Sequence, residues 1–582
     1  MYKTRNIPAF AVFSFFAFLL ISSSFCSTIQ LSYGAYAKAP QSPYGPTVND
    51  DKLTVEKVTD NLDIPTSMAF LGPNDILVTE KTTGKIMRIL DGLLMPQPVL
   101  DVPVASLIER GLLGIAVSKN IAEGKTYVFL YYTESGDGVD ESDANNLVDP
   151  LGNRLYRYEF VDGRLINPVL LLDLTAIPIN GRAEHNGGKI RIGPDDNVYL
   201  IVGEVGAHET QAQNVIDGPA PNGLGGVLRI SQDGGIVDPG NPIFGDGLPL
   251  NVYYAMGIRN SFGMDFDPLT GNLWDTENGP DTGDEINLVF PGFNSGWEQI
   301  QGYEDDDLLE NGASEVNLTD FGISEYADPK FVWDTTIGIT ALKFLNSDKL
   351  GKEYQNNMFV GDINNGLLYR FTLNEDRDNI FINDTFVGDI DSLDDNEIND
   401  PKENQPLIFG QGFGGITDIQ VGPDGYLYVS TYSGSIYKIL PISDSTIPKN
   451  QPNLTLQNTT LTNQTVSAVI LGIDGDDSYS PEPIEVKTGQ TVTWHNGDTI
   501  SHTVTSGQDG DLDEGSLFDS DAIIPNQDYS LTFNDPGEFD YYCIYHPTMV
   551  GEVIVNGPDT STSTSDDTSD DSSDEESDEG DE

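Results

Sequence analysis

The sequence predicts an all-β protein in two folded parts: a six-bladed β-propeller over residues 52–440, then a small β-sandwich over residues 467–556. Three observations lead there. The chain has 582 residues, too many for one ordinary core. Residues 52–440 are rich in Gly, Asp and short β-type runs and carry no long apolar pattern of period 3.6. Within them a loose motif recurs: Gly-Pro-Asp or a relative, a β-type run, then Gly-x-apolar-x-Arg or a relative.

The first unit is Gly72-Pro73-Asn74 with Leu77-Val78-Thr79 and Gly84-Lys85-Ile86-Met87-Arg88. The same pattern returns at Gly193-Pro194-Asp195 with Val198-Tyr199-Leu200, at Asp267-Pro268 with Leu273-Trp274, and at Gly422-Pro423-Asp424 with Leu427-Tyr428-Val429. Two weaker units fill the gaps, at Tyr127–Leu130 with Arg157 and at Met358–Val360 with Arg370. Repeats of this size in an all-β chain imply small antiparallel sheets stacked in a ring.

The N-terminus reads as a secretion signal over residues 1–37. Lys3 and Arg5 precede an uncharged apolar run, Ile7 to Phe25, and Ala35-Tyr36-Ala37 gives a small-x-small cleavage site. The protein is then secreted or held at the cell surface; left uncleaved, the run is long enough to act as a membrane anchor. Cleavage removes Cys26 and leaves Cys543 as the one cysteine, with no internal disulfide partner. Residues 441–466 form a linker with Pro441, Pro448 and Pro452 and three Asn-x-Thr sequons. Residues 557–582 are a Ser/Thr/Asp/Glu tail with almost nothing apolar to bury, expected to be disordered, either a docking arm or a solubilising tail. The chain holds 29 Lys+Arg against 93 Asp+Glu, a formal charge of −64, which argues against nucleic acid and anionic membrane partners.

Residues 467–556 carry a metal-ligand pattern. His502 follows the run Thr491–Trp494, and Cys543, His546 and Met549 share one seven-residue loop spaced Cys-x2-His-x2-Met. Two imidazoles, a thiolate and a weak axial thioether are what a type 1 copper site needs. His495 is not a candidate ligand, because strand alternation turns it away from His502. On these residues the segment resembles the plastocyanin–amicyanin–pseudoazurin group of cupredoxins. The resemblance implies electron transfer with a redox partner protein, and implies that Asn496 ties the His-bearing loop to the Cys-bearing loop.

The propeller segment resembles the soluble quinoprotein glucose/sorbosone dehydrogenases. The matching stretches are Thr79-Glu80-Lys81 with Gly84-Lys85-Ile86, Glu109–Gly114, His185–Ile190 with Gly203-Glu204, Gly257–Asn260, and Glu277–Pro280 with Gly283–Asn287. Oxidising a sugar alcohol needs a base for the hydroxyl proton and an acceptor for the hydride. The resemblance implies that His185 is the base, that Glu204 orients it, and that Arg259 takes part in catalysis. It also implies that Arg259, Asn260 and Asn278 bind pyrroloquinoline quinone (PQQ). Gly279 and Pro280 match residues whose backbone carbonyls hold calcium, and Asp284 and Glu285 lie where the family places acidic residues, a candidate hard-cation site. One departure stands out. The family neutralises the three PQQ carboxylates with Lys and Arg on the fifth and sixth blades, and the equivalent stretches 362–366 and 414–418 have neither. The expected function is oxidation of a sugar or related alcohol by the propeller with onward electron transfer by copper. The alternative is a non-catalytic propeller that binds glycan or protein and carries the copper domain.

Overall fold

The structure, a computed structural model, describes residues 45–445 and 465–556. Exceptions are 121–123, 146–147, 178–182, 207–208, 238–243, 305–316, 383–395 and 400 in the first stretch. In the second they are 472–477, 482, 499–501, 508–516, 521–522, 524–527, 534–535 and 545. The expected signal, most of the linker and the acidic tail lie outside the described residues. Among the described residues no helix is long and apolar enough to cross a membrane.

Residues 47–441 form six antiparallel-rich sheets, and each of the six repeat units read from the sequence lies in a different one. In chain order their innermost strands are Pro65–Gly72, Leu112–Asn120, Ile190–Ile192, Gly263–Phe266, Ile339–Phe344 and Ile416–Val421. Each innermost strand packs against the next, and the sixth packs against the first. The sheets bury their faces on one another. Leu77 meets Ile115 and Val128, Phe129 meets Ile190 and Val198, and Tyr199 meets Met264 and Leu273. The series goes on with Trp274 against Leu342 and Val360, and with Phe359 against Ile419 and Val429. It ends with Tyr428 and Ile436 against Met68 and Val78. The hydrophobic core is thus a ring of inter-sheet layers, the arrangement that defines a β-propeller.

The chain closes the ring with its own start. Strand Leu53–Thr59 is the outer strand of the last sheet, pairing with Ile436–Pro441 in the register Leu53↔Pro441 and Thr54↔Leu440. Inside the ring the innermost strands carry charge. Lys189 Nζ meets Asp418 Oδ1 at 2.8 Å, while Arg191 and Lys343 both meet Asp265. Asp418 also accepts from Met68 N at 2.8 Å, so one buried carboxylate joins the first, third and sixth sheets.

Residues 465–556 form two four-stranded sheets. One holds Tyr479–Ser480, Thr465–Ile470, Gln490–Asn496 and Asp528–Phe533; the other holds Ile484–Lys487, His546–Asn556, Gly537–Cys543 and Thr505–Ser506. Alternating residues of both sheets meet in one core around Trp494, with Tyr479, Tyr541 and Phe533 beside it.

Candidate active site and copper centre

Several sheets deliver side chains to one end of the propeller ring, around a cavity of about 270 Å³, near the small end of ligand pockets at ~300–1,000 Å³. His185, Arg259, Asn260, Asn278, Gly279, Pro280 and Asp284 line it; Glu204 and Glu285 do not.

His185 lies in the turn that leads into Ile190–Ile192 and has φ of 59°, the left-handed region that a side chain rarely adopts. The surroundings hold it there. Its N–H donates to Glu109 Oε2 at 2.5 Å, and a Cβ added at Gly203 would fall 2.3 Å from the His185 carbonyl oxygen. Its Nδ1 is in close contact with the buried carboxylate of Glu204. That contact keeps the proton on Nδ1 and leaves Nε2 as the acceptor, the state a general base needs. Glu204 therefore sits behind the base and outside the cavity wall.

Arg259 and Asn260 leave the strand Tyr253–Met256. Arg259 N donates to Glu277 Oε1 at 2.6 Å, and its guanidinium lies 5.3 Å from the Trp297 ring. Burial pulls its pKa down, against the pull of Glu109, Glu204 and Glu277. Asn260 is 2% exposed. Its Nδ2 donates to Glu109 Oε2 at 3.1 Å, and its Oδ1 has no partner. A buried, orphaned amide oxygen on a cavity wall calls for a ligand or water. Asn278 Nδ2 donates to Ile339 O at 2.9 Å, which fixes the turn that presents Gly279 and Pro280.

Of the four residues expected at a calcium site, Gly279, Asp284 and Glu285 have oxygens already engaged in hydrogen bonds. Gly279 O accepts Arg259 Nη1 at 2.8 Å. Asp284 Oδ1 accepts Gly279 N, and its Oδ2 accepts Ile337 N and Gly338 N, at 2.7–3.0 Å. Glu285 is the next residue on the same strand, so it faces the other side. There it accepts Gln301 Nε2 at 2.8 Å and Gly302 N at 2.6 Å. Glu285 belongs to a buried carboxylate group with Asp275 and Glu277 that the sequence reading did not single out. Burial raises the pKa of all three, Glu277 to about 7, and neither Asp275 oxygen has a partner. The signal that could have found them is strand pairing: Asp275 sits opposite Asn287, and Glu277 opposite Glu285.

At the fifth and sixth sheets the cavity is walled by Ile363, Asn364 and Thr417, which carry no charge. Positive charge reaches it from elsewhere, on Lys81, Lys189 and Arg259. The sequence reading treated Lys81 and Lys189 only as fold motifs.

In the sandwich, His502, Cys543 and His546 place one donor atom each within 4.8 Å of one another. Cys543 Sγ lies 3.6 Å from His502 Nδ1 and 3.5 Å from His546 Nδ1. A planar set with metal bonds of about 2.0 Å to nitrogen and 2.3 Å to sulfur puts N and S about 3.7 Å apart. Both sulfur–nitrogen distances match that spacing, so the structure gathers the donors that a trigonal copper site needs. Met549 is 1% exposed and shares the core with Cys543. His502 Nε2 is held by Asp498 Oδ2 at 2.5 Å, which fixes the ring and leaves Nδ1 to the metal. Thr503 N donates to Cys543 Sγ at 3.3 Å, and Thr503 Oγ1 accepts Ile544 N at 2.9 Å. Thr503 thus ties the two ligand loops directly. Asn496, expected in that role, donates to Ile523 O and accepts from Asp498 N. His495 pairs with Asp528 at 2.6 Å and takes no part.

Comparison with known proteins agrees with this geometry. Residues 62–438 match the model of the glucose/sorbosone dehydrogenase family, and the chain belongs to that family. Residues 467–556 match the copper-binding proteins of the plastocyanin/azurin family, so a dehydrogenase-like propeller and a cupredoxin domain are fused in one chain. Quinoprotein glucose dehydrogenase B of Acinetobacter calcoaceticus is 30% identical over 309 residues, which span 50% of this chain and 62% of that protein. Amicyanin of Paracoccus versutus is 39% identical over 88 residues, 15% of this chain and 64% of that protein. The solved structure of the soluble aldose sugar dehydrogenase from Escherichia coli in the apo-form superposes with a TM-score of 0.50 at 23% identity. The match covers 67% of this chain and 99% of that one, and it bears on the fold alone.

Proposed function

We propose that this protein is an exported redox enzyme whose propeller oxidises a sugar or related alcohol and whose copper domain carries the electrons onward, one at a time, to a partner protein. The observation that carries the reading is His185, with Nδ1 on Glu204 and Nε2 left for a substrate, in the same cavity as Arg259 and Asn260. Nε2 takes the hydroxyl proton. The Glu204 carboxylate then stabilises the imidazolium, as a buried acid beside a histidine base does. Glu109 holds the backbone of His185 and the amide of Asn260 in register.

PQQ suits this cavity: Arg259 and Asn260, whose amide oxygen has no partner, line it, and Lys81 adds positive charge. When bound, PQQ supplies a two-electron acceptor for the hydride of the carbinol carbon. His502, Cys543 and His546, with Met549, would hold copper, which would supply a one-electron couple. Calcium is left out of the reading, because Gly279 O and both Asp284 oxygens are already engaged. A second reading, a propeller that binds glycan or protein without catalysis, is favoured by the uncharged wall at Ile363, Asn364 and Thr417.

The test is direct. The full chain, loaded with copper and PQQ, is given a panel of aldoses, and dye reduction and the bleaching of the copper band are followed together. Turnover that His185→Gln abolishes supports the enzyme. A protein that binds PQQ but reduces nothing with any aldose or simple alcohol leaves the non-catalytic reading standing instead.

A further inference from the structure

We infer that Lys81 holds a carboxylate of the quinone in the propeller cavity, supplying from the first sheet a charge that the fifth and sixth sheets do not provide. The inference rests on the quinone reading of the proposed function and names the residue on which the acidic side of the cofactor depends.

A tricarboxylate entering a partly dry cavity must meet cations there, because desolvating an unpaired carboxylate is expensive. Three cationic side chains line this cavity, Lys81, Lys189 and Arg259. Lys189 is committed to a carboxylate, and Arg259 spends one nitrogen of its guanidinium on backbone carbonyls. Lys189 is 4% exposed and is bound to Asp418 at 2.8 Å. Arg259 Nη1 donates to the carbonyls of Asn278 and Gly279, at 2.9 and 2.8 Å. Lys81 differs. Its Nζ donates to Ser106 O at 3.0 Å, and among the described residues no carboxylate stands within ion-pair distance of it. An ammonium has three donors, so capacity remains.

The amine also sits deep. Burial pulls its pKa down to about 8, although Glu109, Asp143, Glu141 and Asp63 pull the other way from a distance. An anion brought to it would restore the charged form, since an opposite charge at contact favours the ammonium. Position agrees with this. Lys81 follows the strand Asp75–Glu80 of the first sheet, and the first sheet is the neighbour of the sixth across the closure of the ring. The charge is displaced by one sheet around the ring and still lines the cavity.

The competing account is that Lys81 only braces the loop at Ser106. The experiment separates the two by comparing PQQ with its trimethyl ester, which keeps the ring system and lacks the charge. Dissociation constants of the full chain for both are measured by titration, for the native protein, Lys81→Met and Lys81→Arg, with melting temperatures recorded alongside. Loss of one charge-assisted bond predicts PQQ binding weaker by about tenfold to a hundredfold in Lys81→Met. Ester binding should be unchanged, and Lys81→Arg should stay within about threefold of the native protein for PQQ. A lysine that only braces the loop lowers the melting temperature and shifts both ligands equally, or neither, and that result overturns the inference while leaving the enzyme reading intact. Absence of PQQ binding by the native protein overturns the quinone reading and the inference together.

Discussion

Asp418 offers the sharpest test of how the propeller is held shut. Its carboxylate is wholly buried and accepts Lys189 Nζ at 2.8 Å, Met68 N at 2.8 Å and Ile419 N at 3.0 Å. The nearby lysine keeps its pKa below the usual carboxylate value in spite of burial. Asp418→Ala strands Lys189 in the interior with no counter-ion, and breaking one partner of a buried pair typically destabilises by about 3–5 kcal/mol. At about 2.1 cal/mol/K per residue, a propeller of roughly 390 residues unfolds with an entropy near 0.8 kcal/mol/K, so the melting temperature should fall by about 4–6 °C. Scanning calorimetry reads the propeller transition, and the visible band of the copper-loaded sandwich reports separately on the other domain. Removing both charges, in Asp418→Ala with Lys189→Met, should return the melting temperature to within about 2 °C of the native value, because a buried pair replaced whole is often near neutral. If the single and double variants melt together, or the single variant melts with the native protein, Asp418 does not clasp the ring and the reasoning is wrong.

Other predictions follow from the same geometry. Glu204→Gln should lower the turnover of the quinone-loaded enzyme by about 10²–10⁴-fold, with little change in KM, because the amide no longer charges the base; an equal loss in KM would point to substrate binding instead. Cys543→Ser should abolish the intense thiolate-to-copper absorption, and colour that survived would show that the ligand set is wrong. Asp498→Asn removes a negative charge held 2.5 Å from His502 Nε2 and so disfavours Cu(II); voltammetry should show a higher midpoint potential, by about 59 mV for each tenfold change in preference. Glu277 and Asp362 have folded-state pKa values raised to about 7 by burial. Both groups hold protons in the fold that the unfolded chain has released, so propeller stability should fall as pH rises from about 4 to about 7. A melting temperature that climbs over that window would contradict the buried-acid picture.

The outcome of the sequence reading differed from one residue to the next. His185 and Glu204 were named together on the family resemblance, and the fold brings them into contact across nineteen positions of sequence. The copper donors were legible because three ligand types share a seven-residue loop, and strand pairing of Cys543 with His546 then brings the donors together. Glu285 misled because adjacent residues on a strand face opposite sides, so its motif neighbour Asp284 reached the cavity wall and Glu285 did not. Thr503 was not foreseen, because a role behind the ligands depends on which backbone and hydroxyl groups come within bonding distance of the cysteine loop, and only the fold decides that.

By itself, the sequence determined that the chain is all-β, where its repeat units fall, and which side chains could serve as copper ligands. Those are matters of local period, spacing and residue chemistry. Only the tertiary structure decided what the cavity meets. Closure of the ring brings Asp418 onto Lys189 across 229 positions of sequence, which removes one cation from service. Lys81 lines the same cavity as the uncharged residues of the fifth and sixth sheets. Charge balance inside a propeller depends on contacts between sheets far apart in the chain, and no local pattern carries that information.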